Sequence, residues 1–296
     1  MNLPTEPSMK DHLVRLLSDD GSLRAAAAVT TTLIEQLRQR QGTDPAATVA
    51  LGRLVTGAAL LGCTLKGEQR LALTIEGTGP LGKLHAETDA AGHLRGTVRQ
   101  PVSGLPLKHG RLDIVGAIGR AGLLRVSKDL GLKEPYHGVV ELHTSEVAED
   151  LAWYLATSEQ IPSTVALGVY VEPDGAVSAA GGFLIQLLPG ARQELVPLLE
   201  ERLAALPPLT TLLQQGEAPL QILQRLLSGI AFTSQGEIPL SFRCACSRPQ
   251  VSQMLQGLGA EELRHLRQRE EETAITCEFC KHPYHFSREE LAALGG

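Results

Sequence analysis

The stretch RCACSRP, Arg243 to Pro249, contains two cysteines separated by one residue, and ITCEFCKHPYH, Ile275 to His285, contains two more separated by two residues. Only one further cysteine, Cys63, occurs among the 296 residues. Where the surroundings are reducing, closely spaced thiols serve more often as metal ligands or redox groups than as structural disulfides. The two pairs therefore predict that the C-terminal part of the chain folds around a metal ion or a redox centre.

The segment that carries these pairs has too few large apolar side chains to bury a sizeable core of its own. Four thiolates in a tetrahedral arrangement bind one zinc ion, and each pair can supply two of them from a tight turn. We expect the ligands of one zinc ion to be Cys244, Cys246, Cys277 and Cys280. Since four sulfurs complete a closed site, His282 and His285 should lie outside it, and Cys63 should be a buried packing residue.

Two roles for such a site follow from its chemistry. A closed four-thiolate site has no open position for water or substrate, so metal-assisted hydrolysis is not expected and the chain should not be an enzyme. The site is either purely structural or a redox switch, because zinc-bound thiolates remain nucleophiles toward oxidants. The spacing leaves both roles open, although the single residue between Cys244 and Cys246 is less typical of a structural zinc ribbon with two C-x-x-C turns.

The charge and the N-terminal residues restrict the partners and the location. A formal net charge of -6 and a pI near 5.9 argue against a nucleic-acid-binding surface over the whole molecule. The start of the sequence lacks the basic residues and the apolar run of a secretory signal. The most apolar stretch, Val55 to Leu65, is shorter than the ~20 residues that cross a bilayer. We therefore expect a cytoplasmic protein with neither a membrane nor a nucleic acid as partner.

The sequence up to Gly190 has the pattern of an α+β fold, β-rich with packed helices. LRAAAAVTTT at Leu23 to Thr32 predicts a strand that leads into a helix, and Asp44-Pro45 predicts the N-cap and first turn of a long buried helix. Short alternating segments between Gln69 and His143 predict several strands. The turn residues Glu172 to Gly175 lie between two apolar runs, which predicts a β-hairpin.

Leucine, glutamine and proline dominate the segment between Pro189 and Gly236, and the leucines recur at helical spacing. Four prolines should divide this segment into short helices: Pro197, Pro207, Pro208 and Pro219. Helices shorter than about 12 to 15 residues are marginal in water, so these must pack on something else. Two interpretations stay open: helices packed permanently on a domain, or a linker that folds conditionally.

The glycine-rich stretch EGTGPLGKL, Glu76 to Leu84, resembles two phosphate-binding loops without meeting their requirements. A dinucleotide loop needs a helix that begins at its third glycine, yet the residues after Gly82 alternate like a strand. A nucleotide-triphosphate loop needs a hydroxyl after its lysine, where this sequence has Leu84. We therefore expect a tight turn between two strands, and no nucleotide as ligand.

These segments together resemble the 33 kDa heat-shock protein family of redox-regulated chaperones, also called 33 kDa chaperonins. The resemblance extends over nearly the whole chain and includes GTGPLG at Gly77 to Gly82, SEQIPS at Ser158 to Ser163 and GGFLIQLLPG at Gly181 to Gly190. Its most specific part is FRCACSRPQV, joined by an acidic helical stretch to ITCEFCKHPYHF.

The resemblance implies an N-terminal α+β domain for substrate binding and dimerisation, residues 1–182, a metastable helical linker, residues 183–236, and a C-terminal zinc-binding redox-switch domain, residues 237–296. It implies that the reduced protein holds zinc through the four cysteines and is inactive. Oxidant combined with unfolding stress would pair Cys244 with Cys246 and Cys277 with Cys280, release zinc, unfold the linker and favour a homodimer. The active dimer would hold unfolding and oxidatively damaged client proteins against aggregation without ATP.

An alternative function is that of a zinc-ribbon nucleic-acid-binding protein. Basic side chains lie around the cysteines in sequence: Arg243, Arg248, Arg264, Arg267, Arg269 and Lys281. Acidic side chains offset them: Glu261, Glu262, Glu270, Glu271 and Glu272. A solvated helix face explains this balanced set without a ligand, and salt-dependent binding of RNA or DNA would distinguish the two hypotheses.

Overall fold

Contacts along the chain divide it into two units, with the boundary between Phe242 and Arg243. The computed structural model describes residues 10–269 and 272–294. The N-terminal unit contains two larger β-sheets with helices, and the C-terminal unit contains a two-stranded sheet with helices. The predicted α+β class is confirmed, because both kinds of element are present and nearly all strand pairs are antiparallel.

Each of the two sheets of the N-terminal unit combines strands that lie far apart in the sequence. The strands are β1 (His12–Ser18), β2 (Leu23–Val29), β3 (Arg70–Gly77), β4 (Lys83–Asp89), β5 (His93–Val98), β6 (Gly122–Asp129), β7 (Tyr136–Glu141), β8 (Ser163–Val171), β9 (Val177–Leu187), β10 (Phe232–Pro239) and β11 (Ser241–Phe242). The first sheet has the order β10-β1-β2-β9-β8 and is antiparallel throughout. The second sheet has the order β11-β5-β4-β3-β6-β7 and is antiparallel except for β11, which runs parallel to β5.

One long helix forms the centre of the N-terminal unit. The helices of this unit are α1 (Thr31–Gln41), α2 (Pro45–Leu61), α3 (Ile114–Ile118), α4 (Val147–Thr157), α5 (Leu195–Ala205), α6 (Leu209–Gln214) and α7 (Pro219–Leu226). Helix α2 contacts strands of both sheets, and all of its residues except Pro45 and Arg53 are buried. Its N-cap is the predicted one: the Asp44 carboxylate accepts a hydrogen bond from the Ala47 N–H at 2.8 Å.

The length of this helix corrects one expectation from the sequence. The apolar segment Pro45–Thr64 has 20 residues and a mean hydropathy of 1.6, so it is long enough to cross a bilayer. It is 94% buried inside the protein, however, which is typical of a core helix. Gly57 permits this close packing, because a Cβ there would lie 2.5 Å from a methyl carbon of Leu151 on α4.

The glycine-rich stretch is a turn, as predicted. It joins β3 to the antiparallel β4, and no helix begins at its third glycine, Gly82. A Cβ on Gly77 would lie 2.0 Å from the Ile118 carbonyl oxygen, so this glycine is required by the close approach of the end of α3. Lys83 forms an exposed ion pair with Glu76 at 3.2 Å. The predicted hairpin at Glu172 to Gly175 is also confirmed, between β8 and β9.

The leucine-rich helices α5, α6 and α7 pack on the face of the first sheet that is opposite α2. Their buried residues form one hydrophobic cluster with strand residues that point away from α2. The cluster includes Leu16, Leu23, Phe183 and Ile185 from the strands and Leu199, Leu212, Ile222, Leu223 and Leu226 from the helices. Pro197 does not interrupt a helix, contrary to prediction, because it lies in the first turn of α5, where no helical N–H bond is lost. Pro207 and Pro208 do separate α5 from α6.

The strand after these helices returns to the first sheet. Strand β10 pairs with β1 along its whole length, from Phe232 opposite Ser18 to Pro239 opposite His12. The predicted domain boundaries at residues 182 and 236 lie within β9 and β10, so the leucine-rich helices belong by their contacts to the N-terminal unit. The division of the chain into three functional parts stays a prediction.

The C-terminal unit has a small core of its own. Its elements are α8 (Arg248–Gln256), α9 (Ala260–Arg269), β12 (Glu272–Thr276), β13 (Pro283–Ser287) and α10 (Arg288–Leu294). Its buried hydrophobic cluster consists of Val251, Leu255, Leu263, Phe286 and Leu291. Among the described residues of this unit, five buried apolar side chains contribute little burial compared with the cluster around α2, which supports the expectation that the unit needs another source of stability.

We expect Leu223→Ala to destabilise the helix α7 region strongly. The Leu223 side chain is 0% exposed, and removal of a buried leucine costs about 2 to 5 kcal/mol. The matched control is Leu132→Ala, at a position that is 70% exposed, which should change the unfolding free energy by less than about 0.5 kcal/mol. Urea unfolding followed by far-UV circular dichroism would measure both, and equal stability of the two variants would contradict the packing described.

Candidate metal centre

The second cysteine pair lies in the turn of the β12–β13 hairpin. The Cys277 N–H donates to the His282 carbonyl oxygen at 3.0 Å, and the Lys281 N–H donates to the Cys277 carbonyl oxygen at 2.9 Å. Lys281 has a φ of 59°, so the chain reverses through a left-handed residue directly after Cys280. The short turn thereby holds both sulfurs of the pair at one place.

The first cysteine pair lies in the extended residues that lead into α8. Arg248, the first residue of that helix, connects it to the hairpin. Its guanidinium donates to the His285 carbonyl oxygen at 2.7 Å and to the Glu290 carboxylate at 2.5 Å, and it lies 4.4 Å from the centre of the Phe286 ring. These contacts fix the start of α8 against β13 and so position the first pair beside the second.

The structure brings all four predicted ligands together. The sulfur atoms of Cys244, Cys246, Cys277 and Cys280 all lie within 4.8 Å of one another. The Cys244 and Cys277 sulfurs are 3.7 Å apart, and the Cys246 and Cys280 sulfurs are 3.3 Å apart. Sulfurs that each lie about 2.3 Å from a central zinc ion, in a tetrahedral arrangement, are about 3.8 Å from one another. The four side chains therefore fit a single tetrahedral metal ion.

Ionisation of all four thiols together would require a cation among them. Burial raises the pKa of Cys244, and it raises the pKa of Cys280 to about 12. Burial opposes ionisation of Cys277 as well, but hydrogen bonds from the backbone N–H groups of Cys280 and Phe279 lower the pKa of Cys277 to about 7. Four thiolates this close repel one another strongly, so the fully ionised set requires a positive ion among the sulfurs.

The other candidate ligands lie outside the set. His282 and His285 are exposed and do not belong to the group of four, as expected. The predicted packing role of Cys63 is confirmed, since it is 6% exposed, in a short 3-10 turn (Gly62–Thr64) after α2. Burial raises the pKa of the Cys63 thiol, which keeps it in its unreactive form.

Tyr284 is a residue of the site that the cysteine spacing did not indicate. Its hydroxyl donates to the Cys246 sulfur at 3.2 Å, and this hydrogen bond raises the pKa of Tyr284 to about 12. The His282 ring packs edge-on against the Tyr284 ring at 4.8 Å between centres. The alternation of β13, which buries Phe286 and turns Tyr284 toward the sulfurs, is the only sequence signal for this role.

Arg248, one of the basic residues around the cysteines, is engaged in contacts within the unit. Arg248 forms its ion pair with Glu290, whose carboxylate also accepts the Ser287 N–H at 2.9 Å. Glu290 thus belongs to the start of α10 as well as to the arginine contact. The side chains of Arg267 and Arg269, and residues Glu270 and Glu271, lie outside the described part of the structure. These contacts support a structural role for Arg248.

This fold and site define a class of protein: an antiparallel α+β unit, with leucine-rich helices on one sheet, followed by a four-cysteine unit. A family profile described as Hsp33 protein matches residues 11–287. The chain therefore belongs to the Hsp33 protein family, and the resemblance inferred from the sequence is confirmed.

Three relatives illustrate how closely the chain matches this family. The 33 kDa chaperonin of Syntrophotalea carbinolica is 60% identical over 97% of this chain and 99% of its own length. The 33 kDa chaperonin of Geobacter sulfurreducens is 50% identical, with 99% and 98% covered. The crystal structure of the 33 kDa chaperonin from Thermotoga maritima, a heat shock protein 33 homolog, has a TM-score of 0.89 at 37% identity, with 96% and 97% covered.

We expect Cys280→Ser to abolish stoichiometric metal binding. Three thiolates and a hydroxyl hold a soft, tetrahedral ion far more weakly than four thiolates do, whereas the wild-type protein should bind about one zinc ion per chain. Cys63→Ser is the matched control and should keep the wild-type metal content. Elemental analysis of protein purified under reducing conditions would measure this, and equal zinc in the Cys280 variant and the wild type would refute the four-sulfur site.

Proposed function

We propose that this protein is an ATP-independent holdase chaperone that is inactive when reduced and zinc-bound and becomes active on oxidation. It would bind thermally unfolding and oxidatively damaged proteins and keep them from aggregating. The observation that carries the proposal is the set of four sulfurs within 4.8 Å, in a unit whose hydrophobic cluster has five buried members where the structure describes it. Membership of the Hsp33 family supports a chaperone rather than an enzyme or a nucleic-acid-binding protein.

The four clustered cysteine sulfurs are the only groups of the protein that the proposed redox step oxidises. A zinc ion held by these thiolates would lower their charge and keep them deprotonated. Each thiolate pair loses two electrons when it forms a disulfide, so two disulfides consume two molecules of peroxide, which take up four electrons and four protons and leave as water. We assign the bonds to Cys244 with Cys246 and to Cys277 with Cys280. Sulfurs in disulfides are no longer thiolate ligands, so zinc is released.

The expected consequence is unfolding of the C-terminal unit. A structural zinc site contributes on the order of 10 to 16 kcal/mol in small modules, whereas whole domains are stable by about 5 to 15 kcal/mol. The hydrophobic cluster of this unit is too small to replace that contribution. Loss of the site should therefore leave the unit without enough stability to stay folded.

The leucine-rich helices would supply the apolar surface that binds clients after oxidation. Helices α6 and α7 have six and eight residues, below the length at which helices persist alone in water, so they depend on their packing against the first sheet. Leu212, Leu223 and Leu226 are buried in that packing. Detachment of this segment would expose apolar surface on both the helices and the sheet, which binds unfolded clients and favours a homodimer. We place this activity in the cytoplasm.

We expect peroxide-treated protein at moderately raised temperature to suppress the aggregation of a thermally unfolding client without ATP. Reduced, zinc-loaded protein should do little, because its apolar surface remains covered. Light scattering of the client measures this, while zinc release and the free-thiol count are followed in parallel. Equal protection by both forms would remove the switch from the proposal.

A control variant and a disulfide map test whether the four clustered cysteines form the switch. Cys63→Ser should activate like the wild type, since Cys63 is buried away from oxidant. Mass-spectrometric mapping of the oxidised protein should find Cys244 bonded to Cys246 and Cys277 bonded to Cys280. The pairs Cys244–Cys277 and Cys246–Cys280, whose sulfurs are neighbours at 3.7 and 3.3 Å, are the alternative that would refute the assignment.

We expect Arg202→Ala to activate the protein under milder stress. The Arg202 guanidinium on α5 donates to the carbonyl oxygens of Leu226 at 2.8 Å and Ser228 at 2.5 Å, which holds α5 to the C-terminal end of α7. Charge-assisted bonds of this kind contribute about 1.5 to 3 kcal/mol when well shielded, and less here because they are partly exposed. The holdase assay at graded temperatures measures the shift, and Arg192→Ala, an exposed arginine nearby in sequence, should leave the threshold unchanged.

A further inference from the structure

A basic pocket of about 440 Å³ lies at one edge of the first sheet, in the N-terminal unit and apart from the four cysteines in sequence. Strands β1, β2 and β9 form its floor, and the residues that follow α2 form a wall. Three of its lining residues are cationic: Arg15, Arg24 and Lys66. None of the described residues that line the pocket is acidic.

The strand register explains why the two arginines lie on the same face of the sheet. Arg15 on β1 faces Ala26 on β2, and Arg24 faces Leu17, so the arginines lie two positions apart on adjacent strands. Side chains with this offset share one face of a sheet and are within reach of each other. Two guanidinium groups, which repel each other, are therefore brought to the same side of the sheet.

Neutral groups alone hold these arginines in the described structure. Arg15 donates to the Cys63 carbonyl oxygen at 3.1 Å and to the Gln235 carbonyl oxygen at 2.8 Å, and its Nε is buried without a hydrogen-bond partner among the described residues. Arg24 donates to the Gln186 side-chain oxygen at 2.6 Å. The ion pairs found in the described part of the chain involve neither arginine nor Lys66.

We propose that this pocket is a binding site for a phosphate-class oxyanion. Guanidinium groups present a planar fork of donors that matches the oxygens of a phosphate, and an ammonium adds a point charge from a third direction. A phosphate presents oxygens in several directions, which suits cations that approach from two strands and from the wall after α2. A carboxylate presents two oxygens in one plane and could engage fewer of these donors.

The surroundings of Cys63 support the position of the two guanidinium groups. Burial raises the pKa of the Cys63 thiol, while the positive charges of Arg24 and Arg15 act in the opposite direction. Both charges therefore lie near the wall of the pocket that Cys63 forms. Oxyanion binding here does not depend on the proposed redox switch, because none of the four clustered cysteines lines the pocket.

Isothermal titration calorimetry of the full-length, reduced, zinc-loaded protein tests the site, with inorganic phosphate as the probe and ionic strength held constant with sodium chloride. We expect saturable binding and a phosphate-dependent rise in melting temperature, since a ligand that binds the folded state stabilises it. Arg24→Ala should weaken binding about tenfold to a hundredfold, the effect of losing a charge-assisted hydrogen bond. Lys66→Ala, at an exposed position, should weaken it about two- to fivefold.

The controls make the outcome decisive. Lys133→Ala, which removes an exposed lysine from a loop outside the pocket, should bind phosphate like the wild type. Lys66→Ala removes an exposed side chain that supports no buried contact, so its result stands even if Arg24→Ala folds poorly. Absence of saturable phosphate binding, equal binding by the Lys66 and Lys133 variants, or tighter binding of succinate than of phosphate would each overturn the proposal.

Discussion

Mutual repulsion among four sulfur atoms is the constraint on which the C-terminal unit depends. Two tight chain segments hold Cys244, Cys246, Cys277 and Cys280 within 4.8 Å of one another, and only protons or a cation can neutralise so much potential charge in so small a space. In the described part of the unit, the hydrophobic cluster has five buried residues. Little of the stability of this unit can therefore come from apolar burial.

The N-terminal unit is stabilised in the opposite way, by extensive apolar burial. Helix α2 packs against strands of both sheets, and all of its residues except Pro45 and Arg53 are buried. The leucine-rich helices are an intermediate case in how they are stabilised. They are short, yet several of their leucines are fully buried against the first sheet, so their folding is a property of the sheet beneath them rather than of their own sequence.

Local signals made much of this fold predictable from the sequence. The Asp44-Pro45 start of α2, the turn at Gly77 to Gly82 and each of the two cysteine pairs depend on residues close together in the chain. Long-range pairing left no such signal: the attachment of β10 to β1 joins residues more than 200 positions apart, and nothing in the sequence of Phe232–Pro239 identifies its partner. The contact of Tyr284 with Cys246 was hidden for the same reason, because it depends on the hairpin's placement against the segment before α8.

The pairing of β10 with β1 also determines what kind of chain the leucine-rich segment would become if its helices melted. Residues 188–231 are anchored at both ends in one sheet, by β9 and by β10, with β1 and β2 between the anchors. Neighbouring strands are about 4.8 Å apart, so the two ends stay within about 15 Å of each other. The unfolded segment would then be a closed loop rather than a tail. Because both of its ends are held, it would gain less conformational entropy on unfolding than a free tail would, and fewer conformations would have to be sampled when it refolds. Such a loop would return to the same sheet with its strand register kept, because β9 and β10 stay paired on both sides of it.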